Sequence, residues 1–313
     1  MLTVFLSSLS PMLMMFTCIA IGYALNKFNI LPENAGTVLS RVTVYAFLPA
    51  LNISTLMKYG TVEILLAKGH YILISVGILL VAMALSYPLS KLFYKEGYQR
   101  NVYKYALTFG NFGFIGNAVV SMILGDEGLF NFLLFTIPLS IGCNSWGMSL
   151  MIPKDNLAGS PVKRILTPPV IGMIAGLILG ITNAQTVMPD FVLTTLSNLK
   201  GCLGPVSMVL TGFVVAKYDF RGLLKNSKVY VASLFRLVIL PAVFVTVLLL
   251  LKVDSTIVLM ALFAYATPLG LNTVVFPSMY GEDSSTGASM AMISCTLSNL
   301  TLPLLYAVVS IFL

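Results

Sequence analysis

The chain has 313 residues, of which 58% are hydrophobic and only 9% are charged, and its formal net charge is +7. Soluble domains carry about a quarter charged residues, so this composition excludes a soluble protein and indicates an integral membrane protein. Long apolar runs without strand-like alternation favour helical spans over a β-barrel.

Ten transmembrane helices are predicted, with short loops between them and no segment long enough for a soluble domain. Their predicted limits are 8–27, 38–57, 68–94, 101–124, 128–152, 164–183, 200–218, 227–251, 256–279 and 287–312. The N-terminus lacks a basic leader and a small-residue cleavage site, so we interpret it as the approach to a retained first span.

The polar connection at 153–163 divides these spans into two sets of five, residues 1–152 and residues 164–313. Because five is odd, the second set enters the membrane from the opposite side, which predicts a 5+5 inverted repeat. Lys and Arg concentrate in the loops after spans one, three, five and seven, so the linker is predicted to be cytoplasmic and both termini extracytoplasmic. The same rule explains the positive net charge, and we therefore reject a nucleic-acid partner.

Spans four and nine carry unusual centres, in the stretches 105–128 (YALTFGNFGFIGNAVVSMILGDEG) and 265–283 (YATPLGLNTVVFPSMYGED). Amides, glycine, proline and threonine stand where an ordinary span has Leu and Val, at Asn111, Gly113, Asn117, Pro268, Asn272 and Thr273. Gly weakens a helix by roughly 1 kcal/mol relative to Ala, and hydrocarbon cannot satisfy an amide. Two interrupted segments at matching places indicate the binding site of a secondary transporter. The alternative is two kinked helices whose small residues serve only packing.

Two further polar residues are candidates for the site. Asn52 follows Pro49, which should kink span two, and Arg236 lies about three turns into span eight. A central Arg costs roughly 2.5–3.5 kcal/mol, so a substrate carboxylate, a lipid phosphate or backbone carbonyls should compensate for it. Structural pairing is the stronger hypothesis for Arg236, and substrate binding or gating is the alternative.

All eleven carboxylates fall at or near predicted loops, and the one histidine, His70, lies near a span end. Proton-coupled carriers usually hold an intramembrane acid or histidine, so proton coupling is disfavoured, whereas sodium coupling is only weakly disfavoured. The excess of buried donors over buried acids favours an anionic substrate.

The four cysteines, Cys18, Cys143, Cys202 and Cys295, fall inside apolar runs without metal-ligand spacing. We interpret them as packing residues and expect neither disulfide, metal nor cofactor. No nucleophile–base pair or phosphate loop is visible, so an enzyme is not expected.

The order of these motifs resembles the auxin efflux carrier family, which includes plant PIN-FORMED transporters and bacterial malate or malonate permeases. The likeness covers essentially the whole chain. It rests on Gly22-Tyr23, Leu48-Pro49-Ala50, Gly110-Asn111 leading to Gly116-Asn117, Arg236 with Pro241, and Ala266-Thr267-Pro268 leading to Tyr280-Gly281.

The resemblance implies a fold related to the bile-acid symporters, in which broken helices four and nine cross beside the substrate. Helices 1, 2, 6 and 7 would form a scaffold, and helices 3–5 and 8–10 a transport domain that moves like an elevator. The family's substrate-binding asparagine corresponds to Asn111. Plant members often carry a proline at each crossing, where this chain has Ala118 and Thr273.

The sequence therefore predicts a plasma-membrane carrier that exports small organic anions, auxin-like or carboxylate, by potential-driven uniport. Sodium- or proton-coupled dicarboxylate uptake, and a channel or membrane sensor, are the alternatives. The expected partners are the organic anion and the lipid bilayer, and a homodimer is left open.

Overall fold

The computed structural model describes residues 2–152, 166–218, 220–279 and 283–313, so the predicted linker 153–163 lies outside it. Within these ranges the chain is helical apart from short connections. The α-helices are α1 (Leu2–Lys27), α2 (Ala35–Val42), α3 (Leu48–Tyr59), α4 (Val62–Lys91), α5 (Tyr98–Thr108), α6 (Asn117–Gly142), α7 (Met148–Met151), α8 (Pro168–Ile181), α9 (Asp190–Val215), α10 (Phe220–Leu224), α11 (Ser227–Leu234), α12 (Leu240–Leu250), α13 (Ser255–Ala266), α14 (Asn272–Met279) and α15 (Ser285–Val309).

Turns of π-helix connect several of these helices into longer rods. They lie at Thr43–Phe47, Phe112–Gly116, Cys143–Gly147 and Phe235–Ile239. The first and the last are followed by the same tripeptide, Leu-Pro-Ala. Proline lacks an N–H and crowds the preceding turn, and a widened turn accommodates both effects. Pro49 therefore perturbs the second predicted span without ending it.

Six helical segments of the described chain are long and apolar enough to cross a membrane, which confirms the prediction of an all-helical membrane protein. Two shorter apolar helices, α8 and α13, lie between them. The predicted start of span seven at residue 200 was wrong, because α9 already begins at Asp190, directly after Pro189. Polar residues such as Asn198 and Lys200 had hidden these earlier turns.

The predicted fourth and ninth spans are both interrupted. Helix α5 ends at Thr108, and helical structure resumes only with the π turn at Phe112. Helix α13 ends at Ala266, and α14 begins at Asn272. Farther along, Gly125 has φ 69° and ψ −166° inside α6, a conformation that favours glycine, and it turns the chain where spans four and five were predicted to meet.

Glycines bring four of the helices into backbone contact. Helix α1 packs along α9, where a methyl group on Gly22 would meet the Val209 carbonyl and one on Gly212 would meet the Ile19 carbonyl. Helix α8 packs along α3 through glycines four residues apart, Gly172, Gly176 and Gly180, whose added methyls would meet the backbones of Pro49, Asn52 and Leu56. Small residues allow the two backbones to approach closely. Such packing matters in a membrane, because lipid is as apolar as the helices and the hydrophobic effect does not drive them together.

The backbone contact between α1 and α9 predicts that alanine substitution at two glycines of α9 changes the melting temperature very differently. Gly212→Ala should lower the melting temperature by several degrees, because its methyl group has no room and overpacking costs about 1–3 kcal/mol. Gly201→Ala is the control, since no atom lies within 4 Å of its added methyl, and it should leave the melting temperature unchanged or raise it. Equal melting temperatures in a detergent unfolding assay would contradict the packing described.

Candidate functional site

The two interruptions lie against each other. Gly110 and Leu269 form an isolated antiparallel bridge, and the Asn111 N–H donates to the Pro268 carbonyl at 2.7 Å. The Ser294 hydroxyl of α15 accepts from the Leu269 N–H at 3.0 Å. Backbone groups that lost their helical partners are thus satisfied across the break. We call residues 109–111 and 267–271 the crossing.

Arg236 lies beside the crossing and is fully buried. Its Nη1 donates to the carbonyls of Leu107 and Thr108 at 3.3 and 3.2 Å, and its Nη2 donates to the Ala264 carbonyl at 2.9 Å. Its guanidinium also lies 4.8 Å from the centre of the Tyr265 ring. Arg236 therefore caps the ends of both α5 and α13, which is the backbone-carbonyl pairing that the sequence left open.

Asn111 is positioned by the broken backbone itself. It is the N-cap residue of the helical segment that follows: its carbonyl accepts from the N–H groups of Ile115 and Gly116 at 3.1 and 3.0 Å, while its side chain makes no capping bond. The residue is 4% exposed, yet its side-chain amide forms no hydrogen bond within the described chain. Amides of buried residues normally have partners, so Asn111 is a candidate for contact with a ligand.

Asn117, one and a half turns farther on, is also buried. Its amide donates to the Gly113 carbonyl at 2.8 Å, and its Oδ1 has no partner among the described residues. Gly113 itself faces open space, because no atom lies within 4 Å of a methyl group placed there. The first break therefore holds a buried accepting oxygen without a partner, one turn from a glycine that faces open space.

Asn272 begins α14 and contacts the other interrupted span. Its amide donates to the Tyr105 hydroxyl at 3.0 Å and lies 3.5 Å from the Cys143 Sγ, and Tyr105 and Cys143 are 2.9 Å apart. Thr273 is buried, and its hydroxyl donates to the Gly270 carbonyl at 2.7 Å. Sequence reasoning missed the contacts of Asn272 with Tyr105 and Cys143. The one sequence signal for Tyr105 is a hydroxyl six residues before Asn111.

Asn52 lies elsewhere in the structure. Its amide donates to the Pro169 carbonyl at 2.8 Å, which links α3 to the first turn of α8. Its Oδ1 has no partner in the described chain. The described contacts join Asn52 to α8 and not to the crossing. Six of the other candidate residues lie in the crossing or in the helical segments that continue from it, and Arg236 lies beside it.

Acidic groups are absent from the interior of the described chain: no described Asp or Glu side chain is buried, and His70 is exposed. The described residues also contain no group of three or more His, Cys, Asp or Glu side chains that could hold a metal ion. The buried polar chemistry around the crossing therefore consists of amides, hydroxyls, one thiol and one guanidinium.

The sequence matches known proteins over most of its length. The family model described as membrane transport protein matches residues 7–158 and again residues 155–306. An uncharacterized transporter of Methanocaldococcus jannaschii is 24% identical over 306 residues, which cover 93% of this chain and 96% of that protein. An uncharacterized transporter of Methanothermobacter thermautotrophicus is 24% identical over 217 residues, which cover 68% of this chain and 69% of that protein.

Two family matches in tandem, many apolar helices and a break in each half agree with one another. The protein is a multi-pass membrane transporter and not an enzyme. The chain belongs to the membrane transport protein family that comprises the auxin efflux carriers, and it contains two repeats of the family's unit.

Proposed function

We propose that this transporter carries small organic anions and binds them at the crossing. The observation that carries the proposal is the buried Asn111 amide, which has no partner in the described chain. It stands where the helical segment toward α6 begins, and α14 begins just beyond the other break. Helix N-termini carry partial positive charge and free N–H groups, which favour a carboxylate, and an amide can donate two further hydrogen bonds.

We further propose a ten-helix 5+5 inverted repeat, with repeats at 1–152 and 164–313. Support comes from the two family matches and from interruptions at corresponding places, 109–111 and 267–271. The glycine-mediated pairs α1 with α9 and α3 with α8 support a scaffold made of spans one, two, six and seven. The other spans would form the transport domain. The basic loops support extracytoplasmic termini in the plasma membrane.

We propose that the membrane potential alone drives transport and that no coupling ion moves with the substrate. The described interior contains no carboxylate that would carry a proton through the membrane. A potential of 100 mV is worth about 2.3 kcal/mol per elementary charge, which supports a roughly fiftyfold gradient of a monovalent anion without a coupling ion. The proposed direction is export, because a membrane potential that is negative inside the cell drives anions outward.

An elevator motion would break contacts between the proposed transport domain and the proposed scaffold. One cluster of ion pairs lies between these two domains. Asp126, directly after the Gly125 corner, lies 3.2 Å from the Lys58 Nζ of α3 and 2.5 Å from the Lys200 Nζ of α9. Lys68 of α4 instead bonds to Asn131 at 2.8 Å, within the proposed transport domain. Asp126 thus tethers the transport domain to the scaffold at one end of the molecule.

The substrate class is tested first. Purified protein is heated with organic acids that range from malonate to an indole carboxylate, each compared with its uncharged amide. We expect at least one acid to raise the melting temperature while its amide does not, since a ligand at a hundred times its Kd stabilises by about 2.7 kcal/mol. The stabilising acid should then show saturable counterflow in liposomes, which a channel would not. Stabilisation by cations or neutral amides alone would refute the proposal.

Asn111 and Asn52 form a matched pair of buried amides. Asn111→Ala removes no hydrogen bond of the described protein, so its melting temperature should stay near that of the wild type. It should weaken binding of the stabilising acid roughly ten- to a hundredfold, because a hydrogen bond to a charged group is worth about 1.5–3 kcal/mol.

Asn52→Ala removes the bond to Pro169 and should lower the melting temperature while binding is retained. Melting temperature and affinity are measured on the same purified samples. Unchanged affinity in Asn111→Ala would exclude Asn111 from the site.

The ion-pair tether is tested by cysteine labelling. Leu203 of α9 is 1% exposed in an apolar cluster with Leu129 and Leu133 of α6. A cysteine at position 203 therefore becomes accessible to maleimide only when α6 separates from α9. With Cys18 and Cys202 replaced by alanine, Lys200→Met should raise the maleimide labelling rate up to about fivefold, because such a pair is worth at most about 1 kcal/mol. Lys68→Met is the control and should not change the rate. Equal rates in both variants would show that Asp126 does not restrain the boundary.

A further inference from the structure

Arg236 carries a charge that no acid of the described chain neutralises. Its contacts are three neutral carbonyl oxygens and the face of Tyr265, and the ion pairs of the described residues lie at Lys58, Lys68 and Lys200. A guanidinium cannot lose its proton at physiological pH, so the charge is permanent. It stands within hydrogen-bonding distance of the ends of two helices.

The charges around the crossing can be added up. Each helix C-terminus is equivalent to about half a negative elementary charge, and each N-terminus to about half a positive one. The ends of α5 and α13 together contribute about one negative charge, which the Arg236 guanidinium offsets. The helical segments that begin at Phe112 and Asn272 then leave a net positive potential on the side where Asn111 and Gly113 lie.

We propose that Arg236 is a positioning residue that makes the crossing selective for anions without contacting the substrate. Its hydrogen bonds hold the two C-termini side by side, and its charge cancels theirs. Without that charge, the four helix ends would sum to about zero, and the crossing would not distinguish an anion from a cation. This inference rests on the proposed function, since it explains the charge preference of the same site, but it is tested without any substrate.

Close packing keeps the guanidinium at the backbone and out of the open space. A methyl group on Gly110 would lie 2.6 Å from the Arg236 Nη2, so the first break passes directly over the guanidinium. Gly113, three residues on, faces open space. A cysteine at position 113 therefore fits, and its thiol samples the potential on the side where a ligand would bind.

The experiment measures that potential with charged thiol reagents. In protein with Cys18 and Cys202 replaced by alanine, Gly113→Cys is reacted in detergent with an anionic sulfonatoethyl and a cationic trimethylammonioethyl methanethiosulfonate. The ratio of the two rates is the readout. Cys143 and Cys295 are buried and stay in place. The variants compared are Arg236→Gln, which retains amide donors for the carbonyls, and Arg236→Lys, which retains the charge.

We expect Arg236→Gln to lower the anion-to-cation ratio by roughly tenfold, since one elementary charge acts on the two reagents with opposite sign at short range. Arg236→Lys should keep the ratio even if its melting temperature falls, because a lysine cannot reproduce the forked hydrogen bonds. Arg41→Gln removes an exposed arginine of α2 and is the matched control, with no change expected.

Two results would overturn the proposal. One is an unchanged ratio in Arg236→Gln with a lowered melting temperature, which would make the residue purely structural. The other is loss of the ratio in Arg236→Lys, which tests the proposal even if the glutamine variant does not fold. If no organic acid stabilises the protein but the ratio depends on Arg236, the proposed substrate class fails while this inference stands.

Discussion

Hydrocarbon offers no water to backbone groups released by a broken helix, so a break is stable only where other protein groups or a water-filled cavity satisfy them. The bridge between Gly110 and Leu269 and the bond from Asn111 to Pro268 do this for the central residues. Arg236 does it for the last carbonyls of α5 and α13. The two breaks therefore share their partners, and loss of one break would remove the Pro268 carbonyl that the Asn111 N–H bonds to in the other.

The sequence revealed the breaks because amides, glycine and proline at a span centre violate the apolar pattern at Asn111 and Pro268. It could not reveal partners, which depend on how distant helices meet. Arg236 was recognisable as a costly charge, but not as a cap shared by two helices. Asn52 looked equivalent to Asn111, and only the contact with Pro169 separates them. The four-residue spacing of the glycines in α8 is a sequence signal for its close contact with α3. How the spans are oriented in the membrane stays a prediction.

Two kinds of interface coexist in the molecule. The pairs α1 with α9 and α3 with α8 meet backbone to backbone, and dispersion contacts of this kind do not respond to ionic strength. The contact between α6 and α3 or α9 combines an apolar cluster that includes Leu129, Leu133 and Leu203 with partly exposed ion pairs at Asp126, which are individually weak and screened by salt. Salt would therefore weaken the second interface more than the first.

The regularly spaced glycines of α8 fix its position along α3. Gly172, Gly176 and Gly180 each receive a segment of the α3 backbone, and the residues between them carry side chains that would not fit there. A change of one residue in register requires a shift of about 1.5 Å together with a rotation of about 100°, and it would place Met173 and Leu177 where the glycines now meet the α3 backbone. The glycine spacing therefore favours one register for this helix pair, which would make the pair a fixed reference for the displacement of α6 that the proposed elevator motion requires.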